Sequence, residues 1–119
     1  MAHHRIALIG IGAVAEAIAQ AIAKLPNARL VAGSCRTESK GRAFADRYHC
    51  AWYASSEAML DAEKPAAAIV ATPRGTHLDQ VTACARRKIH TLCEKPLEIN
   101  TARIAQMIDA ADRAGIILG

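Results

Sequence analysis

Aromatic residues are scarce in this chain of 119 residues, where they make up only 3% of the sequence. A core with so few of them must be built from alanine, isoleucine, valine and leucine, and apolar residues of all types reach 52%. This composition is typical of buried parallel strands under alanine-rich helices and excludes a disordered chain. The length suffices for one domain, residues 1–119, with a core of its own.

The sequence also lacks a platform of interleaved aromatic and basic residues, which binding of single-stranded nucleic acid requires. The net charge of +4 is modest, and part of it falls where we expect a helix end, at Arg86-Arg87-Lys88. No apolar run approaches membrane-spanning length, and no signal peptide precedes the first apolar stretch. We therefore expect a cytoplasmic chain with no nucleic-acid partner and no membrane contact.

The four cysteines show neither a C-x-x-C pair nor a histidine at zinc-ligand spacing. We therefore predict no metal site. Free thiols, buried or half-buried in a reducing compartment, are the expected state of all of them. They are Cys35, Cys50, Cys84 and Cys93.

A glycine-rich turn near the start of the chain is the feature around which the rest is organised. The apolar run 6–9 stops at Gly10, and Gly10, Gly12 and Ala15 follow the spacing G-x-G-x-x-A. A helical pattern follows directly. A strand, such a turn and a helix together open a dinucleotide-binding βαβ unit, with the pyrophosphate at the helix N-terminus. Taken alone, the spacing also fits an ordinary turn rich in glycine and alanine.

Strand and helix patterns then alternate to the end of the chain, with short connections. This alternation predicts a doubly wound parallel α/β sheet of Rossmann type in three layers, with strand order 3-2-1-4-5-6. Expected helix caps are Thr37, Ser55 or Ser56, Thr76 with Asp79 as a capping box, and Asn100 or Thr101, with Gly115 as the last helix stop. Expected strands are 6–9, 29–34, 51–53, 66–71, 89–93 and 116–118.

The residues after the second strand indicate which cofactor is preferred. NAD-specific sites normally have an acidic residue there, which holds the ribose 2′-hydroxyl. Here the chain has Ser34, Cys35, Arg36 and Thr37, so a 2′-phosphate would meet a guanidinium and two hydroxyls. We therefore predict a preference for NADP, with NAD possible. The alternative is that Arg36 is a solvated loop residue and Glu38 binds the ribose.

Two further clusters follow the fourth and fifth strands, and both ends face the same crevice. After the fourth come Thr72, Pro73 and the helix-initiating His77, a position at which a histidine is more often structural than catalytic. After the fifth come Glu94, Lys95 and Pro96. A lysine beside a nicotinamide would have its charged form disfavoured and would suit proton transfer, although a charged turn ended by proline is an equal alternative.

The combination resembles the N-terminal domain of the glucose–fructose oxidoreductase and inositol dehydrogenase family, Gfo/Idh/MocA. The resemblance rests on G-I-G-A-V-A at 10–15, A-T-P-R-G-T-H at 71–77 and C-E-K-P-L at 93–97, and covers nearly the whole chain. It implies an NAD(P)-dependent oxidoreductase acting on a sugar, cyclitol or related polyol or ketone, with Lys95 as the catalytic lysine and a cis bond at Lys95-Pro96. The implied cofactor-binding residues are Gly10, Ile11, Gly12, Ala13, Val14, Arg36, Thr37, Thr72, Pro73, Glu94 and Lys95, with His77 as the motif histidine.

The family pattern continues into a second α/β domain that binds the substrate, and that domain is absent from these residues. The resemblance therefore implies a cofactor domain that binds NADP but turns over little substrate alone, because substrate positioning supplies much of the rate. We also expect self-association through apolar surface that the second domain would meet. The alternatives are a dinucleotide sensor without chemistry and a flavodoxin-like or other doubly wound domain that binds no nucleotide.

Overall fold

The computed structural model describes residues 3–72, 74–94 and 100–119. The predictions made for Pro73, Lys95 and the Lys95-Pro96 bond lie outside these residues.

A parallel sheet of five strands forms the centre of the fold, in the order β3-β2-β1-β4-β5. The predicted Rossmann-type order is thereby confirmed for these strands. The strands are β1 His4–Ile9, β2 Ala28–Ser34, β3 Ala51–Tyr53, β4 Ala67–Val70 and β5 His90–Cys93. The helices are α1 Ala15–Ala23, α2 Glu38–Tyr48, α3 Ser56–Glu63, α4 His77–Arg86 and α5 Thr101–Ala114, with a short 3₁₀ turn at Arg74–Thr76.

The predicted sixth strand is reduced to a single bridge, in which Leu118 pairs with Thr91 in parallel. The amide of Ile116 still donates to the carbonyl of Ala111, as part of the end of α5. Only residues 117–119 run beside β5, and their hydrogen bonds reach Thr91 and Cys93. So short a segment occupies the place of a sixth strand without forming a ladder.

Helices cover both faces of the sheet, because successive residues of a strand point to opposite sides. On β1, Leu8 packs with the cluster of α1 and α2, which includes Ile22 and Phe44. Its neighbour Ile9 packs on the other side, with residues of α3, α4 and α5. The central strand is thus buried on both faces, which explains its unbroken apolar sequence.

Helix ends follow the expected residues in three cases. Ser55 Oγ accepts a hydrogen bond from the amide of Ala58, and Asn100 Oδ1 accepts one from Arg103. Gly115 ends α5 with a φ of 73°, which glycine adopts without strain.

Thr37 occupies the N-cap position of α2, as predicted, but its side chain makes no cap hydrogen bond. The capping box predicted at Thr76 does not form, because the backbone of Thr76 is in the helical region, with φ −108° and ψ −3°, and not in the extended conformation of a capping residue. The hydroxyl of Thr76 donates to the hydroxyl of Thr72. Thr72 and Thr76 are therefore hydrogen-bonded to each other within the loop after β4.

All four cysteines are thiols outside any disulfide, and each is buried or half-buried, as predicted. Burial, assisted by the Glu63 carboxylate, raises the pKa of the Cys50 thiol to about 11. Burial likewise raises the pKa of Cys84. Among the described residues, no helix combines the length and apolar character needed to cross a membrane.

Candidate functional site

A cleft of about 1120 Å³ opens at the carboxyl ends of the strands. Ligands of open α/β sheets bind at this edge, where the strand order changes direction between β1 and β4. The cleft wall combines the turn after β1 with the loops after β2 and β4. The predicted site residues in this wall are Gly10, Ile11, Gly12, Ser34, Arg36, Thr37 and Thr72.

Gly10 joins the three loops of the cleft. Its φ is +98°, a conformation that L side chains rarely adopt. Its amide donates to the carbonyl of Ser34 at 2.9 Å. A Cβ on Gly10 would lie 2.8 Å from Thr72 Cγ2 and 3.0 Å from the backbone of Ala71 and Thr72. Only glycine therefore allows the turn after β1 and the loop after β4 to lie so close together.

Gly12 has the opposite surroundings. A Cβ added there would meet no atom within 4 Å, and Gly12 lies in the cleft wall. The turn then enters α1, whose first residue, Ala15, is fully buried. A small residue at that position lets helix and strand pack closely, as predicted from the spacing. Open space beside Gly12 and a helix start nearby suit a diphosphate group.

Ala13 and Val14 lie in the turn between Gly12 and α1, outside the cleft lining. Both are exposed, Val14 to 43%. The structure thus brings Gly10, Ile11 and Gly12 to the cleft but leaves these two side chains on the outer surface. Their predicted contact with a cofactor would have to be made by backbone amides.

The end of β2 contributes positive charge to the cleft. Ser34 is buried to 4% exposure, whereas Arg36 and Thr37 are exposed in the cleft wall, next to Lys40. Glu38, the alternative ribose ligand, is outside the lining and accepts a hydrogen bond from Arg42 Nε at 2.6 Å. The carboxylate that an NAD-specific site would use is therefore bound to a neighbouring guanidinium.

Hydrogen bonds hold the loop after β4 in place. Thr72 accepts a hydrogen bond from Thr76 between their hydroxyls, at 2.8 Å. Nε2 of His77 lies 2.6 Å from the carbonyl oxygen of Thr72. His77 is only 1% exposed, so its ring lies behind the cleft wall and supports the loop. Direct contact between His77 and a cofactor stays a prediction, and the burial of the ring argues against it.

β5 ends close to β4, because the amide of Glu94 donates to the carbonyl of Val70 at 2.9 Å. Glu94 is half-buried. The predicted lysine cluster thus starts beside the end of the central strands, although Lys95 itself lies outside the described residues.

Sequence reasoning missed the far wall of the cleft, which the start of α3, α4 as far as Arg86 and a part of α5 supply. Ser56 and Gln80 join two of these helices through a side-chain hydrogen bond of 2.9 Å. Ser55 and Ser56 follow directly after β3, so the rule that ligands bind at carboxyl ends of strands could have found them. Acidic residues on this wall are Glu57, Asp79 and Asp109. Within the described ranges, no group of three histidine, cysteine or acidic residues could hold a metal ion.

A model of the oxidoreductase family with an NAD-binding Rossmann fold, Gfo/Idh/MocA, matches residues 4–119. The chain belongs to this family. The resemblance found in the three sequence motifs is thereby confirmed, and the cleft is the part of an NAD-binding fold at which dinucleotides bind.

Similar proteins are sugar and inositol dehydrogenases. A myo-inositol 2-dehydrogenase of Thermotoga maritima is 30% identical over 96% of this Gfo/Idh/MocA chain and 34% of its own length. A D-xylose 1-dehydrogenase (NADP(+)) of Haloferax volcanii is 37% identical over 70% of the chain and 26% of its own. The WlbA dehydrogenase of Bordetella pertussis, solved with NADH and UDP-GlcNAcA, matches 98% of the chain and 36% of its own, with a TM-score of 0.94 and 27% identity. The chain spans about a third of the length of these relatives.

Proposed function

We propose that residues 1–119 form the dinucleotide-binding half of an NAD(P)-dependent oxidoreductase acting on a sugar, cyclitol or related polyol or ketone. The observation that carries the proposal is the pair of glycines at the cleft: Gly10 closes the turn, and Gly12 leaves open space where a diphosphate fits. The substrate class comes from the names of the relatives, which act on inositols and xylose. A bound nicotinamide would supply hydride transfer, and this chain's residues would hold and orient it.

NADP is the preferred cofactor in this proposal. Arg36 and Lys40 lie in the cleft wall at the end of β2, together with the hydroxyl of Thr37. The nearby carboxylate of Glu38 is paired with Arg42. A ribose 2′-phosphate would therefore meet positive charge and donors there, whereas the Glu38 carboxylate that would hold a 2′-hydroxyl lies outside the cleft lining.

Arg36→Ala is expected to weaken NADPH binding by about tenfold, because a charge-assisted hydrogen bond to phosphate contributes about 1.5–3 kcal/mol before solvent screening. NADH binding should stay unchanged. Isothermal titration of both nucleotides with the wild-type and variant chains measures the two affinities.

Arg29→Ala is the matched control, because it also removes one arginine charge. Arg29 lies at the amino end of β2, opposite to the end that faces the cleft. The variant should alter neither affinity by more than about twofold once long-range charge effects are screened. Tighter binding of NADH than of NADPH by the wild-type chain would refute the preference. Equal loss of both nucleotides in Arg36→Ala would do the same.

We propose further that Lys95 is the catalytic lysine, which exchanges a proton with the substrate hydroxyl while hydride moves to or from the cofactor. Its support is the motif C-E-K-P-L and the position of Glu94, whose amide binds the end of β4. The chain alone would bind cofactor with little turnover, because substrate contacts from another domain would be needed to position the reacting carbon.

Self-association of the isolated chain is also proposed, with a second copy as the partner. Two apolar side chains are exposed on neighbouring segments at the β5 edge of the sheet, Leu92 to 53% and Ile117 to 71%. Edge segments that carry apolar side chains tend to pair with other chains.

Static light scattering should therefore show a mass that rises above the monomer with concentration, and Ile117→Lys should suppress the rise. Leu25→Lys is the control, because Leu25 is 49% exposed but follows α1, far from β5 in the sheet order. A wild-type chain that stays monomeric at every concentration would rule out this association.

A further inference from the structure

The loop that would read the ribose 2′ position is held from behind by β3. The amide of Cys35 donates to the carbonyl of Tyr53 at 3.2 Å. The indole Nε1 of Trp52 donates to the carbonyl of Cys35 at 3.1 Å. Both backbone groups of the residue before Arg36 are thus bound to one short strand, one of them through a side chain.

The same indole fixes the first turns of α2. A Cβ on Gly41 would lie 2.1 Å from both Cδ1 and Nε1 of Trp52. Gly41 is buried and its φ is not positive, so contact with the ring, and not backbone conformation, requires glycine there. The amide of Gly41 donates to the carbonyl of Thr37 at 2.9 Å, which connects this contact to the cleft loop.

A third contact of the ring involves Arg42, whose Cζ lies 5.3 Å from the ring centroid. With its bond to Glu38, this contact keeps the Arg42 guanidinium outside the cleft lining. Trp52 therefore contacts the loop before Arg36, the helix that follows this loop, and Arg42, a cation outside the cleft wall. Arg36 and Lys40 are the cations at the β2 side of the wall.

We propose that Trp52 is a positioning residue for cofactor discrimination: its indole N–H and its contact with Gly41 set the loop 35–37 for recognition of the ribose 2′ substituent. The inference rests on the proposed NADP-binding function. The indole touches the backbone of Cys35 and Gly41 and is not itself a cofactor ligand. Its removal should therefore alter discrimination at the 2′ position and leave binding of the 5′-phosphate unchanged.

Trp52→Phe tests this, because it keeps an aromatic ring and removes the N–H donor. The probes are adenosine 2′,5′-bisphosphate and adenosine 5′-monophosphate, which differ only in the 2′-phosphate. Isothermal titration should show about fivefold weaker binding of the bisphosphate, because the variant loses one hydrogen bond that orders the loop. The affinity for the monophosphate should change by less than about twofold.

Tyr48→Phe is the matched control. It also removes one side-chain hydrogen bond of an aromatic ring, from Tyr48 Oη to Glu16, but at the last residue of α2 and outside the cleft lining. The ratio of its affinity for the bisphosphate to its affinity for the monophosphate should equal that of the wild-type chain, even if the stability of the variant falls. Gly41→Ala is a second, independent change, because its new Cβ displaces the indole while alanine favours the helix; it should lower the ratio as Trp52→Phe does.

An unchanged ratio in Trp52→Phe and Gly41→Ala, with the wild-type preference for the bisphosphate present, would overturn the positioning role alone. Equal losses of both probes would also overturn it, because they would indicate a general effect on stability. A wild-type chain that binds both probes equally would instead refute the NADP preference, and the inference with it.

Discussion

Gly10→Ala is expected to lower the free energy of unfolding by about 2–4 kcal/mol, from backbone strain and overpacking combined. Alanine would have to adopt the φ of +98°, which is unfavourable for a residue with a Cβ. The new Cβ would also lie 2.8 Å from Thr72 Cγ2 and 3.0 Å from two backbone atoms. Flexible side chains can move aside, but the backbone of residues 71–72 is tied to β1 by the hydrogen bond from Ala71 to Ile9. Urea unfolding followed by circular dichroism measures the loss.

Gly12→Ala is the control for this experiment, and it also tests the cofactor site. A Cβ at Gly12 enters open space, and its φ is not positive, so stability should change by less than about 1 kcal/mol. NADPH affinity should nevertheless fall by about tenfold, because the methyl group would occupy space that the diphosphate needs.

The two glycines thus separate two functions of one motif, stability at Gly10 and ligand space at Gly12. If Gly12→Ala bound NADPH as tightly as the wild-type chain, the diphosphate would have to lie elsewhere. If Gly10→Ala unfolded at the same urea concentration as the wild-type chain, the contact between the turn and the loop after β4 would not be a constraint on the fold.

Much of this architecture could be predicted because it depends on local pattern. The run at 6–9 and the glycine spacing after it require β1, the turn and α1, and alternation along the chain then leaves few possible strand orders. The ends of β1, β2 and β4 meet at one edge for the same reason. Most of the predicted cofactor residues therefore came together in one cleft.

What could not be predicted depends on contacts between residues distant in sequence. The bond between Trp52 and Cys35 spans 17 positions, and no local pattern indicates it. Gly41 in the middle of a helical pattern was a usable signal, because glycine is unfavourable there unless a neighbour needs the space. Thr76 fits a capping box by spacing alone, but its backbone adopts the helical region and not the extended conformation of a capping residue.

Lys95→Met should reduce turnover by about a hundredfold or more in a protein that joins this chain to a substrate-binding domain, because a positioned acid–base group contributes about 10²–10⁴ to the rate. NADPH binding should persist, since the glycine turn and the end of β2 are untouched. Lys95→Arg should be nearly as inactive, because a guanidinium keeps its proton at any working pH. Steady-state assays with myo-inositol and D-xylose, alongside NADPH titration, separate the two effects.

Lys88→Met is the control for the loss of charge, because it also replaces a lysine by methionine. Lys88 lies two residues before β5 begins. The variant should leave both turnover and binding unchanged. Full activity of Lys95→Met would remove the catalytic role, while NADPH binding without turnover in the wild-type protein, across sugar and polyol substrates, would favour a dinucleotide sensor. Loss of turnover confined to the Lys95 variants would instead assign proton exchange to Lys95.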